Sequence, residues 1–182
     1  MQTILRISAM LTFIFLLSAY AGYIAAQNDP TIDETLRKFF EGFRDYMRDP
    51  IMLMLIIFIN NAGKGLMAML AGFFFGIFPI IFISMNGYIL GVVISLREPD
   101  MGISGVLMAI LPHGILEIPA IIIACSYGIW LGYKFYRSLF MGEEFKPYLM
   151  DALKTYFKTI LPVLFIAAAV EAFITPMFIH PT

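Results

Sequence analysis

The sequence predicts an all-α polytopic membrane protein, a bundle of about five spans with two broken or re-entrant segments. Three observations predict it. Apolar residues make up 60% of the chain and charged residues only 14%, with a mean hydropathy of +0.86. A soluble domain carries nearer half and a quarter. The charges are also segregated, mostly into residues 29–49 and 134–158, which leaves long runs nearly free of them. Those runs reach the roughly 20 helical residues that cross a hydrocarbon core of about 30 Å. The 12 basic and 13 acidic side chains nearly cancel, so charge points to no nucleic-acid partner. The single cysteine, Cys125, lies in an apolar run and reads as packing. The whole chain, 1–182, reads as one integral membrane domain whose first partner is the lipid bilayer.

Ile4–Ala26 carries one charge, Arg6, and reads as the first span within 1–27. Ala25-Ala26 before Gln27 offers the small residues of a cleavable leader, but the apolar run is longer than a typical leader core, so a retained anchor is expected. Residues 28–49 read as an amphipathic surface helix. Ile32, Leu36, Phe39, Phe40, Phe43 and Met47 recur at helical spacing, and Thr31 with Glu34 fits a capping box.

Residues 50–133 form the expected core. The apolar sequence from 51 to 96 would make a helix about 69 Å long, too long for one crossing, so two spans with a turn near 71–76 are expected. Asn60-Asn61-Ala62-Gly63-Lys64-Gly65 interrupts the first, and Pro79 and Asn86-Gly87 lie in the second. Arg97-Glu98-Pro99-Asp100 reads as a loop. Ile103–Leu111 is a short apolar piece, interrupted by Pro112-His113-Gly114 and followed by a full span to Tyr133. Residues 134–158 read as a polar amphipathic loop, with Phe145, Leu149, Leu153, Tyr156 and Phe157 available to one face. The last span, within 159–182, contains Pro162, Glu171, Thr175 and Pro176.

Five crossings place the termini on opposite sides. Six basic residues then fall on the amino-terminal side and five on the other, a slight bias toward a cytoplasmic amino terminus. Gly72/Gly76, Gly87/Gly91 and Gly128/Gly132 have the spacing that lets helix backbones approach closely in lipid. The spacing alone leaves open whether they serve contacts within the chain, a homodimer or a larger homo-oligomer.

Ionisable and amide side chains inside a span are costly and mark candidate sites. The set is Asn60, Asn61, Asn86, His113, Glu117 and Glu171, with Lys64 and Thr175 in support. Pro79, Pro112, Gly114, Pro119 and Pro176 are expected to break helices near them and free backbone groups. These side chains are expected to converge near mid-membrane around a cavity. Glu117 has two readings, a structural lock with His113 or Lys64, or a ligand or proton site. Asn60 and Asn61 have a second reading as interhelical glue, and Lys64 as a snorkelling lysine. No metal is assigned, because there is no Cys ligand set and no His-Glu-x-x-His pattern. No cofactor is expected, and no catalytic residue, since no nucleophile elbow, P-loop or dinucleotide fingerprint is present.

The same residues carry a family resemblance. Phe58-Ile59-Asn60-Asn61 is followed by Gly72-x-x-x-Gly76-x-x-Pro79, then Asn86-Gly87-x-x-x-Gly91, then Pro112-His113-Gly114-x-x-Glu117-x-Pro119-Ala120, then Ala167-Ala168-Ala169-x-Glu171-Ala172-x-x-Thr175-Pro176. This order resembles the stage II sporulation protein M family from about residue 50 to the carboxyl end. The His-Gly-x-x-Glu-x-Pro-Ala element is its specific part. The resemblance implies a multi-pass membrane protein. The family's namesake is a membrane scaffold working with two cell-wall-degrading proteins during engulfment, and similar proteins occur in prokaryotes that do not sporulate. The intramembrane polar centre itself suits translocation of an ion or small solute, which is the leading expectation, and the resemblance implies the alternative, a non-catalytic scaffold assembling envelope or peptidoglycan-remodelling partners.

Overall fold

A computed structural model describes residues 2–29, 31–32, 34 and 49–175, and for His113 the backbone alone. Among the described residues there is helix and no strand. The helices are α1 (Gln2–Asn28), α2 (Pro50–Leu70), α3 (Ile77–Met141), α4 (Lys146–Thr155) and α5 (Leu161–Phe173). A 3-10 turn, Ala71–Phe73, follows α2, and a π-helical turn, Tyr156–Ile160, joins α4 to α5. Five stretches are long and apolar enough to cross a membrane: α1, Pro50–Phe73, Ile77–Pro112, Gly114–Met141 and Lys146–Phe173. The protein is an all-α polytopic bundle.

α3 is two helices joined across Gly102, whose φ of 68° and ψ of 159° are not helical. The chain folds back there. Pro79 lies against Gly128, although the two would be about 73 Å apart in one straight helix. α1 runs alongside the first half of α3. Phe15 faces Gly87, Ala19 faces Gly91, and the Tyr23 hydroxyl donates to Glu98 Oε2 at 2.6 Å. α2 runs parallel to the second half of α3, with Gly65 facing Ile121 and Gly72 facing Gly128. α5 returns against α2, bringing Phe58 edge-on to Phe165. The amino terminus, the 71–76 turn and residues 142–145 therefore share one side of the bundle. Residues 29, 49, 102 and the end of α5 share the other.

The expected turn at 71–76 is present, and it contains Phe75 at φ 55° and Gly76 at φ 73°. The two expected interruptions are not. α2 is unbroken through Asn60–Gly65, and α3 is helical through Pro112 and Gly114. Glycine and asparagine each cost a helix at most about 1 kcal/mol. An open backbone in hydrocarbon costs several kcal/mol per unpaired group, so the helix prevails. Pro79, Pro112 and Pro119 likewise sit within α3 and do not end it. Arg97–Asp100 is helix and not the expected loop, the reversal falling at Gly102, two residues later. Residues 134–158 are not a loop either. They are the end of α3, four connecting residues, α4 and most of the π turn. Phe145, Leu149, Leu153 and Tyr156 pack inward as expected, while Phe157 points outward.

All three glycine spacings are occupied within the chain. A methyl group on Gly72 would run into the backbone of Gly128, and one on Gly132 into the backbone of Gly72 and Gly76. Gly87 and Gly91 meet the carbonyls of Phe15 and Ala19, and Gly22 meets that of Tyr88. The core around them holds Leu11, Met69, Ile83, Cys125, Leu131 and Leu164.

Of the expected surface helix at 28–49, residues 30, 33 and 35–48 lie outside the described residues. At its start Asp29 Oδ1 accepts from the Thr31 hydroxyl at 2.7 Å and the Thr31 amide at 2.9 Å. These bonds hold the Asp29 carboxyl below its ordinary range.

Candidate functional site

The centre of the bundle is set by Gly65. A β-carbon there would be 3.3 Å from Ile121, 3.7 Å from the Tyr156 hydroxyl and 3.9 Å from Leu164, so three helices converge on it. Residues four apart share a helix face. One turn before Gly65 is Asn61, and one turn before Ile121 is Glu117. Seven residues, two turns, beyond Leu164 is Glu171. Glu117 and Glu171 are both partly buried and close enough to interact electrostatically. Among the described residues neither has a hydrogen bond or an ion pair with a basic side chain. Two carboxylates from two helices thus lie partly buried within electrostatic reach of each other, with no ion pair to a basic side chain among the described residues.

The remaining expected residues are distributed differently. Asn60 is exposed, and its amide donates to Asn61 Oδ1 at a long 3.3 Å. Asn86 donates to the Phe82 carbonyl of its own helix at 2.8 Å. An amide one turn from a carbonyl lone pair satisfies itself locally. The His113 side chain and Pro176 lie outside the described residues. Lys64 is exposed, and Thr175 is buried with its hydroxyl 3.5 Å from the Val170 carbonyl. A groove of about 270 Å³ lies between α1 and α3, lined by Ser18, Ala21, Ser84, Met85, Tyr88 and Ile89. No group of three or more metal-ligating side chains occurs among the described residues.

Several polar contacts at helix crossings have no motif to announce them. Ser8 and Ser126 pair at 2.8 Å across α1 and α3, and the Ser126 hydroxyl is also 2.7 Å from the Ile122 carbonyl. At the amino-terminal side Glu143 pairs with both Lys134 and Arg137, and Lys134 also lies 4.1 Å over the Tyr148 ring. Trp130 packs edge-on to Tyr127 and Tyr148.

Tyr156 is the most consequential of these residues. Pro162 has no amide hydrogen for the Lys158 carbonyl. The chain enters α5 through a widened turn, in which the Leu161 amide reaches back to Tyr156. Tyr156 is 1% exposed, and its hydroxyl donates to the Ala62 carbonyl at 2.5 Å, stitching the π turn to the Asn60–Gly65 stretch. The signal was present as Tyr156 six residues before Pro162, but nothing local says which helix the hydroxyl meets. Tyr156→Phe is expected to keep the fold and lower the unfolding free energy by about 1 kcal/mol, read as a lower midpoint in detergent unfolding.

The comparisons with known proteins bear on the whole constellation. The family model for stage II sporulation protein M matches residues 11–176, which contain every expected site residue. Uncharacterized protein MJ0706 of Methanocaldococcus jannaschii is 26% identical over 183 residues, covering 93% of this chain and 81% of that protein. Uncharacterized protein MJ0793 of the same organism is 34% identical over 123 residues, covering 65% of this chain and 68% of that protein. No solved structure matches the chain. With all but ten residues at the amino end and six at the carboxyl end inside the match, the chain belongs to the stage II sporulation protein M family.

Proposed function

We propose that the protein is a multi-pass membrane protein that binds a proton or small cation between Glu117 and Glu171 and passes it across the bilayer. The supporting observation is that these two carboxylates, on α3 and α5, are partly buried within electrostatic reach of each other in a bundle with membrane-spanning helices. Two like charges held close in a low dielectric need a compensating positive charge. The described residues supply none, and a proton or cation would. Asn61, one turn from Gly65 on the same face, adds a neutral oxygen ligand within that layer. The reading assigns no catalytic step to the chain.

The test is flux in proteoliposomes, followed with a pH-sensitive dye and with alkali cations on either side. Glu117→Gln and Glu171→Gln are each expected to reduce flux at least about tenfold, since each removes half of the charge that attracts the ion. Unchanged flux in folded variants would remove the proposal.

A scaffold that assembles envelope partners is the second reading, favoured by the glycine-to-backbone contacts and by the groove lying away from the carboxylates. The two glutamates would then only fix helix packing. Envelope proteins recovered with the purified chain, together with no flux above empty vesicles, would favour it.

The orientation we propose has the amino terminus in the cytoplasm. Arg6, Lys64, Lys134, Arg137, Lys146, Lys154 and Lys158 lie toward that side, and Arg97 is the described basic residue toward the other.

A further inference from the structure

The glycine pairs at 72/76, 87/91 and 128/132 are occupied within the chain, but Gly63 of α2 is exposed, with nothing within 4 Å of a β-carbon. It shares a helix face with Leu53, Ile56, Asn60 and Met67, which follow one another at alternating steps of three and four residues. That is the spacing of a coiled-coil seam, and Asn60 stands at its middle. The face points away from Gly65, Ala68 and Met69, the positions of α2 buried in the bundle. Asn60, Gly63 and Met67 are exposed, and Leu53 and Ile56 are half-buried.

Depth makes Asn60 unusual. Asp49 caps α2 at the membrane surface, where its carboxylate accepts from the Ile51 amide at 2.9 Å. Asn60 lies 10 residues beyond Pro50, about 15 Å along the axis, at the middle of a hydrocarbon core of about 30 Å. Acyl chains offer no hydrogen bond there, and an amide left unpaired in hydrocarbon is costly. Yet Asn60 makes one long bond, from Nδ2 to Asn61 Oδ1 at 3.3 Å, and among the described residues its own Oδ1 accepts none. A carboxamide carries both donors and acceptors, so it is its own complement. A second copy inserted in the same orientation brings an identical amide to the identical depth.

We propose that two copies of this chain associate side by side through the face of α2 that carries Leu53, Ile56, Asn60, Gly63 and Met67, with the two Asn60 amides bonding each other at mid-membrane. Gly63, one turn beyond Asn60, lets the two backbones close on each other. Lys64 falls on the flank of the seam, from which its stem runs toward the headgroups. The pairing is independent of the ion reading at Glu117, because Gly65 and Ile121 mark the opposite side of α2 as the one turned to the glutamates.

The full chain, labelled in separate pools with donor and acceptor dyes at the amino terminus, is reconstituted in phosphatidylcholine vesicles, and energy transfer is followed as the lipid-to-protein ratio rises. Transfer is expected to fall along the curve of a monomer–dimer equilibrium. Asn60→Leu is expected to weaken association about fivefold, and Asn60→Gln, which keeps the amide, less than about twofold. Gly63→Leu is expected to weaken it at least about tenfold by holding the helices apart, while the monomer stays folded because the new side chain meets open space. That variant carries the test if Asn60→Leu does not fold. In a Cys125→Ala background, Met67→Cys is expected to form an oxidative cross-link between copies, and Ile81→Cys, exposed on α3, to form none. Transfer no greater than chance proximity at every ratio would overturn the proposal. So would association that Gly63→Leu leaves unchanged, or a cross-link at Ile81 in place of Met67.

Discussion

Gly72→Val is expected to destabilise the bundle by about 3 kcal/mol or more, and to lower sharply the yield of monodisperse protein. Ordinary overpacking costs about 1–3 kcal/mol because side chains can shift. Here the new atoms meet the Gly128 backbone, which cannot rotate away, and Gly132 presses on Gly72 and Gly76 from the next turn. Moving the helices apart to admit the side chain would open the contact between α2 and α3 on which the glutamate layer depends. Gly63→Ala is the control. It lies in the same helix with nothing within 4 Å of a β-carbon, and is expected to be neutral or to stabilise by about 0.5–1 kcal/mol. Detergent unfolding of the two variants side by side separates close approach from helix propensity. A Gly72→Val protein as stable as the parent would mean that the two helices do not cross there.

Gly102→Ala is expected to cost about 1–3 kcal/mol, and Gly102→Leu nearly the same. The residue is at φ 68° and ψ 159°, a region that only glycine occupies without strain, and a β-carbon there has open space around it. The penalty is therefore conformational and flat with side-chain size, whereas at Gly72 it rises steeply with size. Unfolding midpoints for Ala and Leu at each position give the comparison. Since Gly102 is the reversal between the two halves of α3, its loss is also expected to speed proteolysis near Arg97. A variant that unfolds like the parent would place the reversal elsewhere.

Much of the architecture was legible, because the bilayer imposes simple demands. Apolar runs separated by charged segments specify five spans, and Ala71–Gly76 specifies the first helical hairpin. The two expected interruptions fail for one reason. Asn60–Gly65 and Pro112–Gly114 look like breaks on propensities measured in water, but in hydrocarbon an unpaired amide costs more than a poor helix former. The reversal was placed at Arg97–Asp100 because charge marks an interface. Charge marks the depth of a turn and not the residue that turns, and Gly102 is that residue. At the site, Glu117 and Glu171 are legible as intramembrane carboxylates, and they lie partly buried within electrostatic reach of each other. Asn86 donates to the Phe82 carbonyl one turn away, a partner its residue type alone does not announce. Tyr156 was missed because a tyrosine in an amphipathic stretch has many uses, and only the register of α2 against α5 selects one.

The far end of α3 has a mechanical meaning. Beyond the 71–76 turn, residues 133–141 continue the same helix out of the bundle, braced by Phe73 and Phe145 against Phe135 and by Glu143 against Lys134 and Arg137. That overhang is nine residues, about 13 Å of stiff rod. A rod rooted at Gly132, on the helix that carries Glu117, behaves as a pointer. A change of about 10° in the tilt of its membrane-spanning part swings Met141 by about 2 Å in the aqueous phase, where the motion can be felt without any contact reaching into the lipid.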